Sequence, residues 1–294
     1  MNTFLQLLLS GMMMGVIYSL IAFGVVLIYK SSSIFNFAQG EFLMFSGYIF
    51  WFFLARCHFP LWATFFCLFI FCVLLGISVE RIFLRPLVGQ PLLSTVIMTF
   101  GLGIMIRGFV LVIWGSDWQM LPEIFPKEPL RIGEIVLSVQ LLDSFFVALL
   151  VVGVLTWFFQ FTRKGLAMRA VAESHQVAQS MGISLTAILT QSWIISAIVA
   201  GAGGFLLGSI NGINVALSDL GLKAIPVMLM GGLESIPGAI IAGPIIGVFE
   251  NLASGYLDPL VGGGLNQIIS YVILIVLLLI KPYGIFGLKH IERI

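Results

Sequence analysis

Residues 4–28 contain no charged side chain, and seven further apolar segments follow at 42–55, 61–79, 92–114, 144–160, 186–210, 224–253 and 266–280. A helix needs about 20 predominantly apolar residues to cross the hydrocarbon of a bilayer. This recurring pattern restricts the chain to an all-α membrane protein with about eight hydrophobic segments. Composition agrees: the chain is 60% hydrophobic and 9% charged, where soluble domains have about 45–50% and about 25%. Disorder is excluded by the same numbers. The connections leave no room for a sizeable soluble domain, so residues 1–294 read as a single transmembrane domain without an ATPase or receptor module of its own. No basic residue precedes 4–28 and no small-residue cleavage site follows it, which predicts a retained first span rather than a leader.

Charge sets the orientation. The net charge is +1, which gives no footprint for a nucleic-acid partner. Short cytoplasmic loops collect Lys and Arg. The gap 161–185 holds Arg163, Lys164 and Arg169 against Glu173 alone, whereas 115–143 is rich in Asp and Glu. With 161–185 inside, alternation puts Lys30, Arg81 and Arg85 inside as well, together with Lys281, Lys289 and Arg293 in the tail. That makes nine of the fourteen basic residues; Arg56, Lys127, Arg131 and Lys223 fall outside and Arg107 lies within a span. The N-terminus is then outside and the C-terminus cytoplasmic. For the tail to return inside, 224–253 must begin and end on one side. Gly231, Gly232, Pro237 and Gly238 interrupt it, and irregular backbone at membrane depth survives only inside protein or against a wet cavity. A hairpin of half-helices is predicted there, with one long kinked span as the alternative.

A second break lies at 29–41, where Ser31, Ser32, Ser33, Asn36, Gln39 and Glu41 separate two apolar segments. The following segment, 42–55, is too short to cross alone, so part of 34–41 belongs within the membrane. Polar, glycine-containing interruptions of this kind form translocation pathways; a plain cytoplasmic turn is the simpler alternative. Residues 36–41 and 231–238 are therefore the candidate solute pathway, through Asn36, Phe37, Gln39, Gly40 and Glu41 and through Gly231, Gly232, Ser235, Pro237 and Gly238.

The stretch 162–184 is different. Leu166, Ala170, Val177 and Met181 recur at helical spacing, Gly182 is a natural stop and Ser184 a natural cap for the next helix. The pattern predicts one short amphipathic cytoplasmic helix over about 165–182. So short a helix is marginal in water and gains stability by docking, either on a partner or on the lipid surface. Leu166, Arg169, Ala170, Glu173, Val177 and Gly182 are the candidate docking residues.

Chemistry signatures are absent. There is no phosphate-cradling glycine loop with lysine, no His-Glu-x-x-His and no nucleophile elbow. His58, His175 and His290 are scattered, and Cys57, Cys67 and Cys72 fit no zinc spacing. No catalytic residue, metal or bound cofactor is expected. Arg107, Glu234 and Glu250 are the intramembrane charges, and such groups are paired or face a cavity. An ion-coupled carrier would need a charged coupling site in a central span, for which Arg107 alone partly qualifies. Gly11/Gly15, Gly204/Gly208 and Gly243/Gly247 are small-residue pairs of the kind that bring membrane helices close.

Several segments carry a resemblance. They are Ile34-Phe35-Asn36-Phe37-Ala38-Gln39-Gly40-Glu41, Glu80-Arg81-Ile82-Phe83-Leu84-Arg85-Pro86-Leu87, Arg163-Lys164-Gly165-Leu166-Ala167-Met168-Arg169-Ala170, Gly231-Gly232-Leu233-Glu234-Ser235-Ile236-Pro237-Gly238-Ala239 and Lys281-Pro282-Tyr283-Gly284-Ile285-Phe286-Gly287. In these, and over nearly its whole length, the chain resembles the LivH-like permease subunits of branched-chain amino acid ABC importers. Where Gln39 stands the family often has His. The resemblance implies a heterodimer with a second related permease, two cytoplasmic ATPase subunits that hold the ATP, and an extracytoplasmic solute-binding protein. It implies a bacterial inner-membrane location and places ATPase docking on the 165–182 helix, where Ala172-Glu173 and Gly182 degenerately match the importer docking loop. Similar permeases move urea, amides and other small organic acids, so it implies a solute class more weakly than an architecture. An autonomous ion-coupled carrier is the rival from another class.

Overall fold

The computed structural model describes residues 2–87, 89–122, 124, 129–132 and 135–287. The sequence-based expectations for Lys127, Lys289 and Arg293 lie outside the described residues. In lipid each backbone polar group must be bonded within its own segment, so the apolar runs become helices. They are α1 (Asn2–Ser32), α2 (Gln39–Trp51), α3 (Leu61–Ser78), α4 (Leu92–Trp114), α5 (Val139–Phe161), α6 (Arg163–Glu173), α7 (His175–Ser180), α8 (Leu185–Asn211), α9 (Leu217–Leu222), α10 (Ala224–Gly231), α11 (Ile236–Tyr256), α12 (Asp258–Val261) and α13 (Leu265–Ile280). Six are long and apolar enough to cross a membrane, namely α1, α3 with its continuation to Leu87, α4, α5, α8 and α11, and α13 is a shorter apolar helix. Within the polar gap before α5, β1 (Leu130–Ile132) pairs antiparallel with β2 (Ile135–Leu137), a hairpin that helical periodicity did not predict.

Hydroxyl side chains start several helices. Thr162, Ser174, Ser184 and Ser235 each accept from the backbone N–H three residues on, at Gly165, Val177, Ala187 and Gly238. The helix holding 42–55 begins at Gln39 and continues past Trp51 through a π-helical turn, Phe52–Arg56. The apolar segment is thus lengthened at both ends. The segment 165–182 is not one helix. Ser174 adopts extended backbone (φ −160°, ψ 116°) and its hydroxyl caps α7, so the expected continuous helix becomes α6 followed by α7. A serine competes with the helix by bonding its own neighbourhood, and it needs no glycine to do so.

The chain forms two compact units. The first comprises Met1–Val26, Phe125–Leu149 and Lys223–Ile294. Here α1 runs antiparallel to α11. Asn251 donates to the Leu7 carbonyl at 3.4 Å, and Ser19 donates to the Ile240 carbonyl at 3.0 Å. Between these contacts the glycines let backbone meet backbone: a Cβ on Gly11 would stand 2.6 Å from the Gly247 carbonyl oxygen. Pro244 lies inside α11. Its missing N–H leaves the Ile240 carbonyl without its helical partner, and Ser19 supplies that hydrogen bond. The first unit also contains α10 and α13, both antiparallel to α11. Lys223, at the start of α10, reaches Glu250, and Gly231, at its end, abuts Gly238. The tail after α13 returns to the break, where Ile285 N–H donates to the Met230 carbonyl (2.8 Å) and Phe286 N–H to that of Gly231 (3.1 Å). Residues 224–253 therefore begin and end at the same end of this unit, as the hairpin reading requires. The arms are unequal: α10 has 8 residues and α11 has 21. The second arm is long enough to cross alone, and Ser19 satisfies the carbonyl that its internal proline leaves without a helical partner.

The second unit comprises Leu27–Ile124 and Leu150–Leu222. Its centre is α8, with α2 and α3 against it. A Cβ on Gly76 would stand 2.6 Å from Ile194 Cα, and one on Gly201 2.6 Å from Cys72 Sγ. Against α2 lies α9: a Cβ on Gly221 would stand 2.6 Å from Gly40 Cα. Glu80 is buried and accepts a bidentate pair from Arg85 (3.1 and 2.9 Å) and the Thr190 hydroxyl (2.9 Å), tying the end of α3 to the start of α8.

Candidate functional site

In the second unit the polar break at 33–38 is folded into a closed network. The Asn36 side-chain oxygen accepts from Ala38 N–H at 3.1 Å, a local turn that lets α2 begin immediately after it. The Asn36 amide donates to Gln39 Oε1 at 3.0 Å. Gln39 donates to the Ser196 carbonyl at 3.3 Å and accepts from the Ser196 hydroxyl at 2.9 Å. Asn36, Gln39 and Ser196 are all buried, so these amides are spent on one another and on α8. They shape the break rather than present free groups. Phe37 and Glu41 are half-buried. Phe37 stacks on Phe100 with centroids 4.3 Å apart, and its N–H faces the Thr99 hydroxyl at 3.5 Å.

Glu41, one turn along α2, belongs to a second, charged group. Arg107 on α4 pairs with Asp219 of α9 at 3.1 Å, stands 3.8 Å from Glu41 and donates to the Ser218 hydroxyl. Its buried Nε has no hydrogen-bond partner. An unmade bond of that kind costs about 1–3 kcal/mol, and more at a charged group. Gly40 lets α2 lie directly on the Ser218 carbonyl, which brings Glu41 to the arginine. The sequence marks Arg107 as a charge that needs a partner; it does not point to Asp219 or Ser218, since 112 residues separate Asp219 from it.

In the first unit Gly231 and Gly232 end α10, and Ser235 caps α11, with Ile236 and the exposed Pro237 in its first turn. Gly232 has φ of +108°, a region that side chains avoid. A Cβ there would lie 2.7 Å from the Gly287 nitrogen. Gly238 packs on Gly231 with no room between them. The Gly231, Gly232, Ser235 and Gly238 positions thus build the turn and seat the tail.

Lys223 is a correction. Read as an outside loop residue, it is buried and donates to Glu250 (2.8 Å) and the Asn266 carbonyl (3.3 Å), with Tyr18 Oη at 3.5 Å. Ser270 donates to the other Glu250 oxygen. The hairpin brings this ion pair together across 27 residues, and no periodicity signals it.

The docking residues divide between two helices. Leu166, Arg169, Ala170 and Glu173 lie on α6 and Val177 on α7, and Gly182 follows with φ of +82°. Met168, Val171 and Ala178 face inward, and Leu166, Glu173, Val177 and Met181 are exposed. Arg169, expected to face a partner beside Glu173, turns back to the Gln160 carbonyl at 3.0 Å. His175 Nε2 lies 3.2 Å from the Ser31 carbonyl, fixing α7 to the end of α1.

Crossing helices, a hairpin interrupted at glycine, and buried polar breaks define a multi-pass helical membrane protein. The chain belongs to the family described as branched-chain amino acid transport system / permease component, whose model matches residues 7–280. It is 31% identical to the high-affinity branched-chain amino acid transport system permease protein LivH of Salmonella typhimurium, covering 99% of this chain and 98% of that one. It is also 31% identical to the corresponding permease protein BraD of Pseudomonas aeruginosa, at the same coverage. Among solved structures, PsaBC from Streptococcus pneumoniae in complex with Fab has the same fold, with a TM-score of 0.51 at 8% identity over 95% of this chain and 94% of that one. These relations favour a transport-system permease over an autonomous carrier.

Proposed function

We propose that this chain is the membrane-spanning subunit of an ATP-driven importer that passes branched-chain amino acids, or a related small polar solute, across the bacterial inner membrane. The observation that carries this reading is the family match over residues 7–280, reinforced by near-full-length relatives. The chain binds no cofactor of its own. ATP is hydrolysed on two separate cytoplasmic subunits, a second related permease completes the path, and an extracytoplasmic binding protein delivers the solute. Both units serve one permease domain. Its path is shaped by Asn36, Phe37, Gln39, Gly40 and Glu41 and by Gly231, Gly232, Ser235, Pro237 and Gly238.

The exposed Leu166, Glu173 and Val177 supply the ATPase-docking surface, with Ala170 and Gly182 beside them and Arg169 holding α6 to the end of α5. The N-terminus is outside and the C-terminus cytoplasmic. In support of this, the Leu7 end of α1 and the Tyr283–Phe286 tail lie at opposite ends of the first unit. The test is uptake of labelled leucine by cells with and without this chain, with valine, isoleucine, urea and acetamide as competitors. Chain-dependent leucine uptake, suppressed by valine and isoleucine and untouched by urea, is expected. Chain-dependent uptake of urea or amide without leucine would overturn the solute assignment.

A further inference from the structure

We propose that Arg107, Glu41 and Asp219 form a transient binding site for the zwitterionic end of the transported amino acid, a proposal that rests on the permease reading above. The site lies entirely in the second unit, on α4, α2 and α9. Three features point to a ligand. A charged side chain within a membrane span is costly and is kept for pairing or for a pathway, yet the Arg107 side chain remains 38% exposed and that of Asp219 66%. Among the described residues, every hydrogen bond and ion pair of Arg107 runs through one nitrogen, Nη2, and the buried Nε has no partner. A guanidinium presents five N–H donors in a planar fork, so donors remain unmet beside the pairs that Nη2 makes, and a fork of donors binds a carboxylate bidentately. Finally, one cation faces two carboxylates, and Glu41 stands at 3.8 Å, beyond hydrogen-bond reach. Glu41 therefore has an oxygen free of the arginine that can accept from an ammonium. A ligand with adjoining carboxylate and ammonium offers an acceptor to Arg107 and a donor to Glu41 at once. A simple amine or a simple acid offers only one of the two.

Contrast this with Lys223 and Glu250, whose side chains are 8% and 6% exposed and whose donors and acceptors are spent on each other, Ser270 and the Asn266 carbonyl. That pair is closed, and the Arg107 group is open.

The test uses membranes of cells carrying the intact transport system, with the exposed native thiol removed by Cys57→Ser and a reporter introduced by Ala216→Cys. Ala216 is exposed and precedes Asp219 by three residues. The rate of thiol labelling is read against leucine, its methyl ester and 4-methylpentanoate. Leucine should slow labelling, and the ester and the acid should not. Arg107→Lys and Asp219→Asn should each raise the half-protecting leucine concentration at least tenfold, with insertion intact. Asp219→Asn should also narrow the difference between leucine and 4-methylpentanoate. Equal protection in parent and variants overturns the site, as does loss of the co-purifying second permease with protection unchanged, which makes the cluster a subunit contact. Absence of leucine uptake by the parent system overturns the solute assignment and the site with it; uptake without protection overturns the site alone.

Discussion

Lys223 and Glu250 show how a membrane protein carries charge where lipid would penalise it. Each side chain is buried, and the pair gains a hydroxyl and a backbone carbonyl as further partners. Removing one member of a buried pair strands the other, at about 3–5 kcal/mol, whereas replacing both is often nearly neutral. Lys223→Met and Glu250→Gln should therefore each lower the thermal midpoint of the purified protein sharply, and the double variant should regain most of the loss. Additive losses in a thermal-shift series would show that the two residues act separately. Glu250 is legible as a charge that needs a partner, but Lys223 as that partner is not, because 27 residues and a hairpin lie between them. The same holds for Gln39 and Ser196, 157 residues apart. Asn36, Gln39 and Glu41 can be picked out as polar among apolar neighbours; that the two amides bond inward while the carboxylate faces an arginine depends on α8 and α4.

At the scale of elements, punctuation explains both what could be read and what could not. Glycines and a proline announce the break between α10 and α11, and the break stands where they do. Gly232→Leu should insert normally and abolish transport, since it combines a disfavoured positive φ with a side chain directed at the Gly287 backbone. Wild-type uptake at normal expression would show that the turn and its seated tail are dispensable. Serine gives a weaker signal. Ser174 divides α6 from α7 although the apolar stripe runs through it at continuous helical spacing. The division leaves Leu166 on one helix and Val177 on the next, both exposed. Val177→Asp and Glu173→Lys should leave insertion and assembly unchanged, because neither side chain is buried. They should remove the stimulation of ATP hydrolysis by solute and binding protein. A helix resting on lipid would tolerate Glu173→Lys, since added positive charge favours anionic headgroups. Undiminished stimulation in both variants would rule out docking here. The π-helical turns Phe52–Arg56 after α2 and Val79–Leu84 after α3 have no counterpart in helical periodicity.

For the whole molecule, segment length and Lys/Arg distribution already gave a many-times-crossing helical protein, because the bilayer imposes one length scale and one charge rule on every span. What they could not give is the division of contacts into two units, which depends on pairings as distant as Leu7 with Asn251. In the importer proposed above the energy source is external to this chain, with ATP hydrolysed on partner subunits. The direct measurement is leucine accumulation in proteoliposomes containing this chain with its second permease, two ATPase subunits and binding protein. Accumulation that requires ATP and the binding protein, and that persists when protonophore and ionophores dissipate every ion gradient, is the predicted result. Accumulation by this chain alone, driven by an ion gradient without ATP, would contradict it.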